Sequence, residues 1–398
     1  MLRGLRLAAA AASVVAASSA CAWHDDAGGG ASGIGSSTTP TLAVTTAAPS
    51  RPPSAGIGCA AAAALRTWSL ERRAAQLVVV PAEENDVLAV RPLAAEGVGG
   101  LILFGSPAPP ALPANLAALQ RSTASGPPLL VMADEEGGSV QRLANLVGDL
   151  PWPRTMASTM TVSQVRALAE HVGRNMRTAG VTMDLAPVLD LSAGPGPDAA
   201  NPDGPRSFSV NPSITSAYGL AFAQGMLDAG VIPVVKHFPG LGQASYNSDF
   251  GPASDPPLSV LEAGSLRPFT AAIAAGAPAV MVANVSIPGL TGSLPATLST
   301  AAITGLLRHQ LRFRGLVLTD TLSASAVQDA GYDVPQAAAR AIEAGADMVL
   351  FNSADPGVTT NTVISAIASA VTSHQLSVTR LDDAVQHVLA AKKVTLCS

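Results

Sequence analysis

The middle of the chain contains the stretch Val231-Ile-Pro-Val-Val-Lys-His-Phe-Pro-Gly-Leu-Gly242. Its first five residues are a short apolar run, which is typical of a parallel strand buried on both faces. The run stops at Lys236 and His237, and Phe-Pro-Gly then turns the chain away. In parallel α/β proteins, ligand-binding groups stand at the carboxyl ends of the strands. The stretch therefore predicts a strand that delivers a cation and an imidazole to such a site, although two solvated residues after a strand would give the same pattern.

The composition favours a globular protein with a large core. The chain has 398 residues, 48% of them hydrophobic, and a net charge of −5. Because phosphate binding needs clustered Lys and Arg, and no long basic run occurs, we expect no nucleic-acid partner. Aromatic residues make up 4% of the chain, which does not indicate an extensive protein-binding surface, so a monomer is expected.

Short apolar runs alternate with Ala-rich helical segments along most of the chain. The eight predicted strands are 77–80, 97–104, 129–133, 181–188, 231–235, 279–283, 315–319 and 347–351. Helices are predicted at 65–77, 162–178, 214–229, 258–275, 300–312, 336–344, 358–373 and 378–391. Strands that alternate with helices in this way predict a (β/α)₈ barrel. The alternative is an open doubly wound sheet, but no Gly-x-Gly-x-x-Gly turn follows the first strand.

Polar residues follow six of the predicted strands. They are Asp134 and Arg142, Arg206, Lys236 and His237, Asn284, Asp320, and Asn352. Each has a structural interpretation: Asp320 could cap the next helix, Arg142 could pair with a neighbouring Glu, and Arg206 could brace its loop. Because the carboxyl ends of barrel strands share one rim, a common binding site is the favoured interpretation.

The amino terminus has the pattern of an export signal. Arg3 and Arg6 precede an apolar run and a group of small residues, which predicts a signal peptide over 1–20. The run is too short to predict a mature membrane span. Cys21 resembles the lipidated Cys of a bacterial lipobox, although Ser18 replaces the usual aliphatic residue. We therefore predict export and a lipid anchor in the cell membrane, with plain secretion as the alternative.

Two further segments complete the predicted organisation. Residues 21–58 are rich in Gly, Ser, Thr, Ala and Pro, so they predict a flexible tether. The barrel domain then spans 59–398, with Cys59 and Cys397 near its two ends. Export allows disulfides, and a closed barrel brings its first and last elements together. A Cys59–Cys397 disulfide is therefore predicted, and two free thiols are the alternative.

Four segments carry a resemblance to a known family. They are Asp-Glu-Glu-Gly-Gly-x-Val-x-Arg at 134–142, Arg206-Ser-Phe, Lys236-His-Phe-Pro-Gly and Thr319-Asp320-x-Leu-Ser. In order and spacing they resemble the bacterial β-N-acetylhexosaminidases of glycoside hydrolase family 3, and the mycobacterial-type lipoprotein members in particular, over residues 60–393. The resemblance implies that the binding residues of an N-acetylglucosamine ring are Asp134, Arg142, Arg206, Lys236 and His237. It also implies that Asp320 is the nucleophile.

The loop after the fifth strand departs from the family pattern. Family members carry Asp-Ser-His there, in which His is the general acid/base and Asp orients it, whereas this chain has Asn247-Ser-Asp249. Asn284 stands where a His is usual, and it is kept as a substrate-binding candidate. Two hypotheses follow. Either Asp249 is itself the acid/base, with a pKa raised by burial or by Asp320, or the protein binds amino sugar with little turnover.

The resemblance thus implies a retaining β-N-acetylglucosaminidase that acts on amino-sugar glycosides or fragments from peptidoglycan turnover. Cations at the neighbouring strand end, Lys236 among them, are expected to keep nearby carboxylates charged, as a nucleophilic carboxylate requires. No cofactor is expected. No Cys/His cluster with metal-ligand spacing occurs in the sequence, so no metal is expected either.

Overall fold

The structure is a computed structural model that describes residues 65–123 and 126–394. The predicted signal peptide, the tether, Cys21 and the Cys59–Cys397 pair lie outside the described residues. The statements about them therefore remain predictions.

A closed parallel barrel organises the described residues. Its strands are β1 Val78–Glu83, β2 Gly100–Phe104, β3 Leu130–Ala133, β6 Met183–Asp184, β7 Ile232–Phe238, β8 Ala279–Val282, β9 Leu316–Thr319 and β10 Val349–Leu350. They pair in the order β10-β1-β2-β3-β6-β7-β8-β9. A parallel bridge between Leu318 and Met348 joins the two outer strands. The predicted (β/α)₈ barrel is therefore confirmed.

Helices and a hairpin surround the barrel. The helices are α1 Leu70–Ala75, α2 Arg91–Glu96, α3 Leu112–Ser122, α4 Ala144–Val147, α5 Pro153–Thr159, α6 Val162–Ala179, α7 Pro212–Asp228, α8 Leu258–Ala263, α9 Leu266–Ala274, α10 Ser325–Asp329, α11 Val334–Ala344, α12 Pro356–Thr372 and α13 Val378–Ala391. Shorter 3₁₀ turns are Glu84–Val90, Gly204–Arg206, Leu241–Gln243 and Ala296–Leu298, and Ala301–Gln310 is π-helical. The hairpin consists of β4 Glu135–Gly137 and β5 Val140–Gln141. Within the described ranges, no helix combines the length and apolar character needed to cross a membrane.

Strand β7 is longer than its apolar run predicts. The sequence places its end at residue 235, but the strand continues through Lys236 and His237 to Phe238. Its pairing with β8 shifts register between Val235 and Phe238. Such a bulge re-aims the side chains of the bulged residues. Lys236 and His237 are therefore buried parts of the strand, and both line the pocket described below.

The end of β7 is anchored in the core by an aromatic pair. The ring of Phe238 meets that of Phe269 in α9 edge to face, with centroids 5.7 Å apart. Both residues are fully buried. The single helix predicted over 258–275 is wrong, because Gly264, with φ −134° and ψ −86°, separates α8 from α9. The break allows α9 to lay Phe269 against the strand that carries the site.

Candidate active site

The carboxyl ends of the barrel strands surround a pocket with a volume of 280 Å³. The pocket brings together seven of the nine residues that the sequence places at the site, and these are Asp134, Arg142, Arg206, Lys236, His237, Asp249 and Asp320. The other two, Asn284 and Asn352, do not line it. A larger groove of 680 Å³ lies between α6, α7 and α9, but Arg166 is the one charged residue lining it. The chemistry therefore belongs to the smaller, charged pocket.

Glu136 connects the two cations of the pocket. Its carboxylate accepts hydrogen bonds from Arg206 Nε at 2.7 Å and Arg206 Nη2 at 2.8 Å, and it lies 2.6 Å from Lys236 Nζ. Burial alone would raise the pKa of Glu136, but the charges of Arg206 and Lys236 hold it well below its usual range. Glu136 is thus an ionised, fully buried anchor. It fixes both cations before any ligand arrives.

Lys236 also contacts Asp134, which is the carboxylate among the predicted sugar-binding residues. Its Nζ donates a hydrogen bond to Asp134 Oδ1 at 2.7 Å. The Asp134 side chain retains 15% exposure, whereas that of Glu136 retains none. Asp134 is therefore the partner of Lys236 that remains accessible to a ligand. Charge-assisted hydrogen bonds of this kind can grip sugar hydroxyls in a fixed orientation.

The β4–β5 hairpin places Arg142 at the pocket wall. Gly138 has φ 60°, and a Cβ on it would lie 2.0 Å from the ring of Trp152, so only glycine fits the turn. The buried Glu135 accepts hydrogen bonds from the backbone N–H groups of Arg142 and Leu143 at 2.9 Å and 2.8 Å. Among the described residues, Arg142 Nε has no hydrogen-bond partner. Arg142 as a whole is only partly buried and lines the pocket, so the accessible part of its side chain could meet a ligand oxygen.

Asp190 fixes the ring of His237, and burial keeps that ring neutral. Its Nδ1 lies 2.7 Å from Asp190 Oδ2, and its Nε2 lies 3.5 Å from Arg206 Nη2. Burial and the neighbouring charge of Arg206 lower the pKa of His237 to about 4. This network assigns the proton to Nδ1, because Arg206 can only donate to Nε2. Asp190 also accepts hydrogen bonds from the backbone N–H groups of His237 and Leu241, which fixes the start of the next loop.

Asp320 lies directly beyond β9, at the pocket floor. One carboxylate oxygen of Asp320 accepts a hydrogen bond from Thr321 N at 2.7 Å. The backbone N–H of Asp320 donates to Val282 O at 3.0 Å. It does not cap α10, which begins after Ala324. Burial and the nearby Asp249 raise the pKa of Asp320, while His237 and Lys236 oppose that rise. Lys236 therefore favours the charged form of this carboxyl, as expected of a nearby cation, and burial opposes it.

Asp249 lies at the solvent side of the same pocket. Its backbone N–H donates to Asn247 Oδ1 at 3.0 Å, so the two residues that replace the family's dyad remain in contact. Partial burial raises the pKa of the Asp249 carboxyl, and the charge of Arg206 opposes the rise. Two carboxyls with raised pKa values therefore face one pocket. A glycosidase needs one carboxyl of such a pair protonated and the other ionised.

Asn284 is not a ligand-facing residue, so its assignment to substrate binding is corrected. It is fully buried and does not line the pocket. Its Nδ2 donates to Thr321 O at 2.7 Å, and its Oδ1 accepts from Thr297 Oγ1 at 2.6 Å. With both ends of the amide occupied, Asn284 supports the backbone next to Asp320.

Two carboxylate–histidine groups among the described residues have the composition of a metal site. One consists of Asp190, Asp203 and His237, and the other of Asp347, Asp383 and His387. In the first, His237 Nδ1 contacts Asp190 directly at 2.7 Å, which is a hydrogen-bond distance. Two ligands of one Zn²⁺, each ~2.0–2.2 Å from the ion, would stand farther apart. In the second, Asp347 already pairs with Arg308 and Arg380. Neither group fits a metal in this arrangement.

Glu136 and Asp190 contribute more to the site than the sequence indicates. Glu136 lies within the quoted family motif, yet sequence reasoning offered it only as a partner of Arg142, whereas it pairs with Arg206 and Lys236. Asp190 follows the fourth predicted strand, and it holds the imidazole of His237. For Asp190 the signal in the sequence is an acidic residue within the apolar segment 187–191, because burying a charge is costly unless it has a partner.

Replacing Glu136 with Gln is expected to destabilise the fold, because it removes the carboxylate that two buried cations share and leaves Lys236 paired with Asp134 alone. Loss of one partner from a buried ion pair typically costs about 3–5 kcal/mol of unfolding free energy. Denaturant unfolding measures the difference. The control is Glu343→Gln, which removes a partly exposed ion pair with Arg340. It should change stability by less than about 1 kcal/mol. Equal effects for the two variants would contradict the role of Glu136.

A parallel barrel with paired carboxyls and anchored cations at its carboxyl-end rim is typical of a glycoside hydrolase. Residues 69–391 match the family model described as the glycosyl hydrolase family 3 N terminal domain. The chain therefore belongs to glycoside hydrolase family 3.

Proteins with similar sequences are named β-hexosaminidases. The chain is 40% identical over 273 residues to Beta-hexosaminidase LpqI of Mycobacterium tuberculosis, covering 67% of this chain and 68% of that protein. It is 35% identical over 270 residues to a Beta-hexosaminidase of Stenotrophomonas maltophilia, covering 64% of this chain and 76% of that protein. The chain is thus a β-hexosaminidase-like member of the family.

Solved structures agree with this placement. The structure of M. tuberculosis LpqI superposes with a TM-score of 0.74 at 37% identity, over 84% of this chain and 96% of that one. A family 3 β-N-acetylglucosaminidase from a Paenibacillus species gives a TM-score of 0.75 at 34% identity, over 82% of this chain and 62% of that one.

Proposed function

We propose that this protein is a retaining β-N-acetylglucosaminidase in which Asp320 is the nucleophile and Asp249 is the general acid/base. The observation that carries the proposal is that both carboxyls line one pocket together with Asp134, Lys236 and Arg206. Relatives named β-hexosaminidase and β-N-acetylglucosaminidase support the choice of an amino-sugar glycoside as substrate. The volume of 280 Å³ suits one sugar ring rather than a longer chain.

The sugar ring would be held by the charged rim. Lys236 and Asp134 form one hydrogen-bonding edge, Arg206 and His237 form a second, and Arg142 supplies a further donor. Because Glu136 and Asp190 already fix these side chains, little ordering remains to be done when the ligand binds. The anomeric carbon would then lie over Asp320.

The first chemical step forms a covalent intermediate. An Asp320 carboxylate oxygen attacks the anomeric carbon as the bond from that carbon to the glycosidic oxygen breaks. The electron pair of the broken bond stays with the leaving oxygen, which takes the proton of Asp249. The products are a glycosyl ester on Asp320, a free alcohol and an ionised Asp249.

The second step returns the enzyme to its starting state. Asp249 removes a proton from a water molecule, whose oxygen attacks the anomeric carbon and displaces the Asp320 carboxylate. The sugar is released with its original anomeric configuration. Asp249 is again protonated and Asp320 is again ionised, so the proton and electron count closes.

A second candidate function follows from the altered loop. Asn247 and Asp249 stand where the family carries its Asp and His, and loss of an acid/base typically lowers rates by about 10²–10⁴-fold. Under this alternative the protein binds amino sugar without efficient turnover.

Assay of an activated aryl N-acetyl-β-glucosaminide decides between the two functions. A good leaving group needs little protonation, so the substrate reports the nucleophile even if the acid is weak. We expect turnover with a β-configured product at the earliest times, as followed by NMR. Measurable sugar binding with no release of the aryl alcohol would favour the binding protein instead.

We also propose that the protein is exported and lipid-anchored at Cys21, and that it acts on fragments from peptidoglycan turnover. The basic and apolar start of the chain and the small residues before Cys21 support this proposal. Cys21→Ser is expected to move the protein from the membrane fraction to the soluble fraction of its natural host. Unchanged fractionation would contradict lipid anchoring.

A further inference from the structure

The segment 247–250, here called the acid loop, is held in place by hydrogen bonds rather than by apolar packing. Its one large apolar residue, Phe250, is 62% exposed, and the adjacent Tyr246 is 36% exposed. Asn247 and Ser248 are nevertheless buried. Polar contacts must therefore provide most of the attachment of this segment.

One set of contacts joins the acid loop to the chain just beyond the nucleophile. Ser325 Oγ donates to the backbone carbonyl of Asp249 at 2.9 Å. Ala326 N donates to the carbonyl of Ser248 at 3.0 Å. Since Ser325 stands five residues after Asp320, the same short segment carries the nucleophile and holds the backbone of the acid.

A second set holds the opposite side of the loop through Asn247. Its Nδ2 donates to Asp198 O at 3.2 Å, and its backbone N–H donates to Ala199 O at 3.0 Å. Its Oδ1 accepts from Asp249 N at 3.0 Å. The side chain therefore acts as a donor at one end and an acceptor at the other, which an amide can do and a carboxylate cannot.

We infer that Ser325 and Asn247 are positioning residues that hold Asp249 over Asp320, and that Asn247 is suited to this task because it is an amide. The inference rests on the proposed function, in which Asp249 is the acid/base. On this inference the Asn-Ser-Asp sequence at 247–249 forms a functional acid loop and not one that has lost its catalytic role. An Asp at 247 would place a carboxylate against the Asp198 carbonyl and weaken the attachment.

The test compares Ser325→Ala, Ser325→Thr and Asn247→Asp with Ser323→Ala. Ser323 is a matched control, because its hydroxyl also donates to a backbone carbonyl, that of Asn352, but does not contact the acid loop. Each variant is assayed for kcat/KM on an activated aryl N-acetyl-β-glucosaminide and on an unactivated disaccharide. Amide hydrogen exchange across the acid loop is measured in parallel.

Loss of a single hydrogen bond to the acid loop is expected to affect the disaccharide more than the activated aryl substrate. Ser325→Ala and Asn247→Asp should lower kcat/KM on the disaccharide about three- to tenfold, with less than about a twofold change on the aryl substrate. Ser325→Ala and Asn247→Asp should also speed amide hydrogen exchange at Asp249. Ser325→Thr and Ser323→Ala should both keep the wild-type kcat/KM values and the wild-type exchange rate.

The outcomes separate this inference from the proposed function. If Asp249→Ala shows a selective loss on the disaccharide but Ser325→Ala and Asn247→Asp behave like Ser323→Ala, the positioning role is overturned and the acid assignment stands. If Asp249→Ala lowers both substrates equally, the acid assignment fails and the positioning inference fails with it. Unchanged hydrogen exchange in both loop variants would overturn the attachment itself.

Discussion

Asp320→Asn is expected to lower kcat/KM for an activated aryl N-acetyl-β-glucosaminide by on the order of 10⁴-fold or more. An amide of the same shape cannot attack the anomeric carbon, so the covalent intermediate does not form. The activated leaving group isolates this step, because it departs without help from an acid. A steady-state assay of wild type and variant measures the loss.

Two controls show that the loss is chemical. Asp329→Asn makes the same change at an exposed residue at the end of α10 and should retain full activity. Sugar binding to Asp320→Asn, measured by calorimetry, should stay within a few-fold of wild type because Asp134, Lys236 and Arg206 remain in place. An Asp320→Asn variant that keeps more than a tenth of the activity would rule out Asp320 as the nucleophile.

Asp249→Ala is expected to separate substrates by their leaving groups. On an unactivated disaccharide kcat/KM should fall by about 10²–10⁴-fold, because the leaving oxygen then departs without a proton. On the activated aryl glycoside, kcat/KM should change by less than about tenfold, since it reports the first step only. Equal losses on the two substrates would exclude Asp249 as the acid.

The pH dependence of activity gives a second, independent test of Asp249 as the acid. Activity requires an ionised Asp320 and a protonated Asp249, so it falls as pH drops below the pKa of the first and as pH rises above that of the second. Both pKa values are raised, which places both limbs above the ordinary range of an Asp. Asp249→Asn should abolish the limb at higher pH.

The same substitution should leave the acidic limb in place. On that limb Asp249 already carries its proton and no charge, so replacing it with Asn removes no charge that acts on Asp320. A basic limb that persists unchanged in Asp249→Asn would assign the titrating acid to another group.

Much of the architecture could be predicted because parallel strands buried on both faces are read directly as apolar runs. The eight runs correspond to the eight barrel strands, although β6 and β10 are reduced to two residues each. Helix α13 has the predicted bounds Val378–Ala391. The break between α8 and α9 was missed, because Gly264 is tolerated in many helices and only its backbone angles show the end.

The site was predictable to the extent that its residues stand at strand ends. Lys236 and His237 were placed correctly on the rim, but their burial within β7 depends on a register shift that apolar spacing does not encode. The assignment of Asn284 to substrate binding is wrong because it, too, depends on contacts that are distant in the sequence. It follows β8 as expected, yet Thr297 and Thr321 occupy both ends of its amide, and such distant partners cannot be read from local sequence.

Trapping the glycosyl-enzyme tests the central claim most directly. The probe is 5-fluoro-N-acetyl-β-glucosaminyl fluoride, whose fluorine slows both steps while its leaving group still allows the first to proceed. After proteolysis, mass spectrometry should find the added sugar on the peptide that contains Asp320, and on no peptide of Asp320→Asn. An adduct on Asp134 or Asp249, or turnover of the probe without any protein adduct, would contradict a mechanism in which Asp320 attacks the sugar.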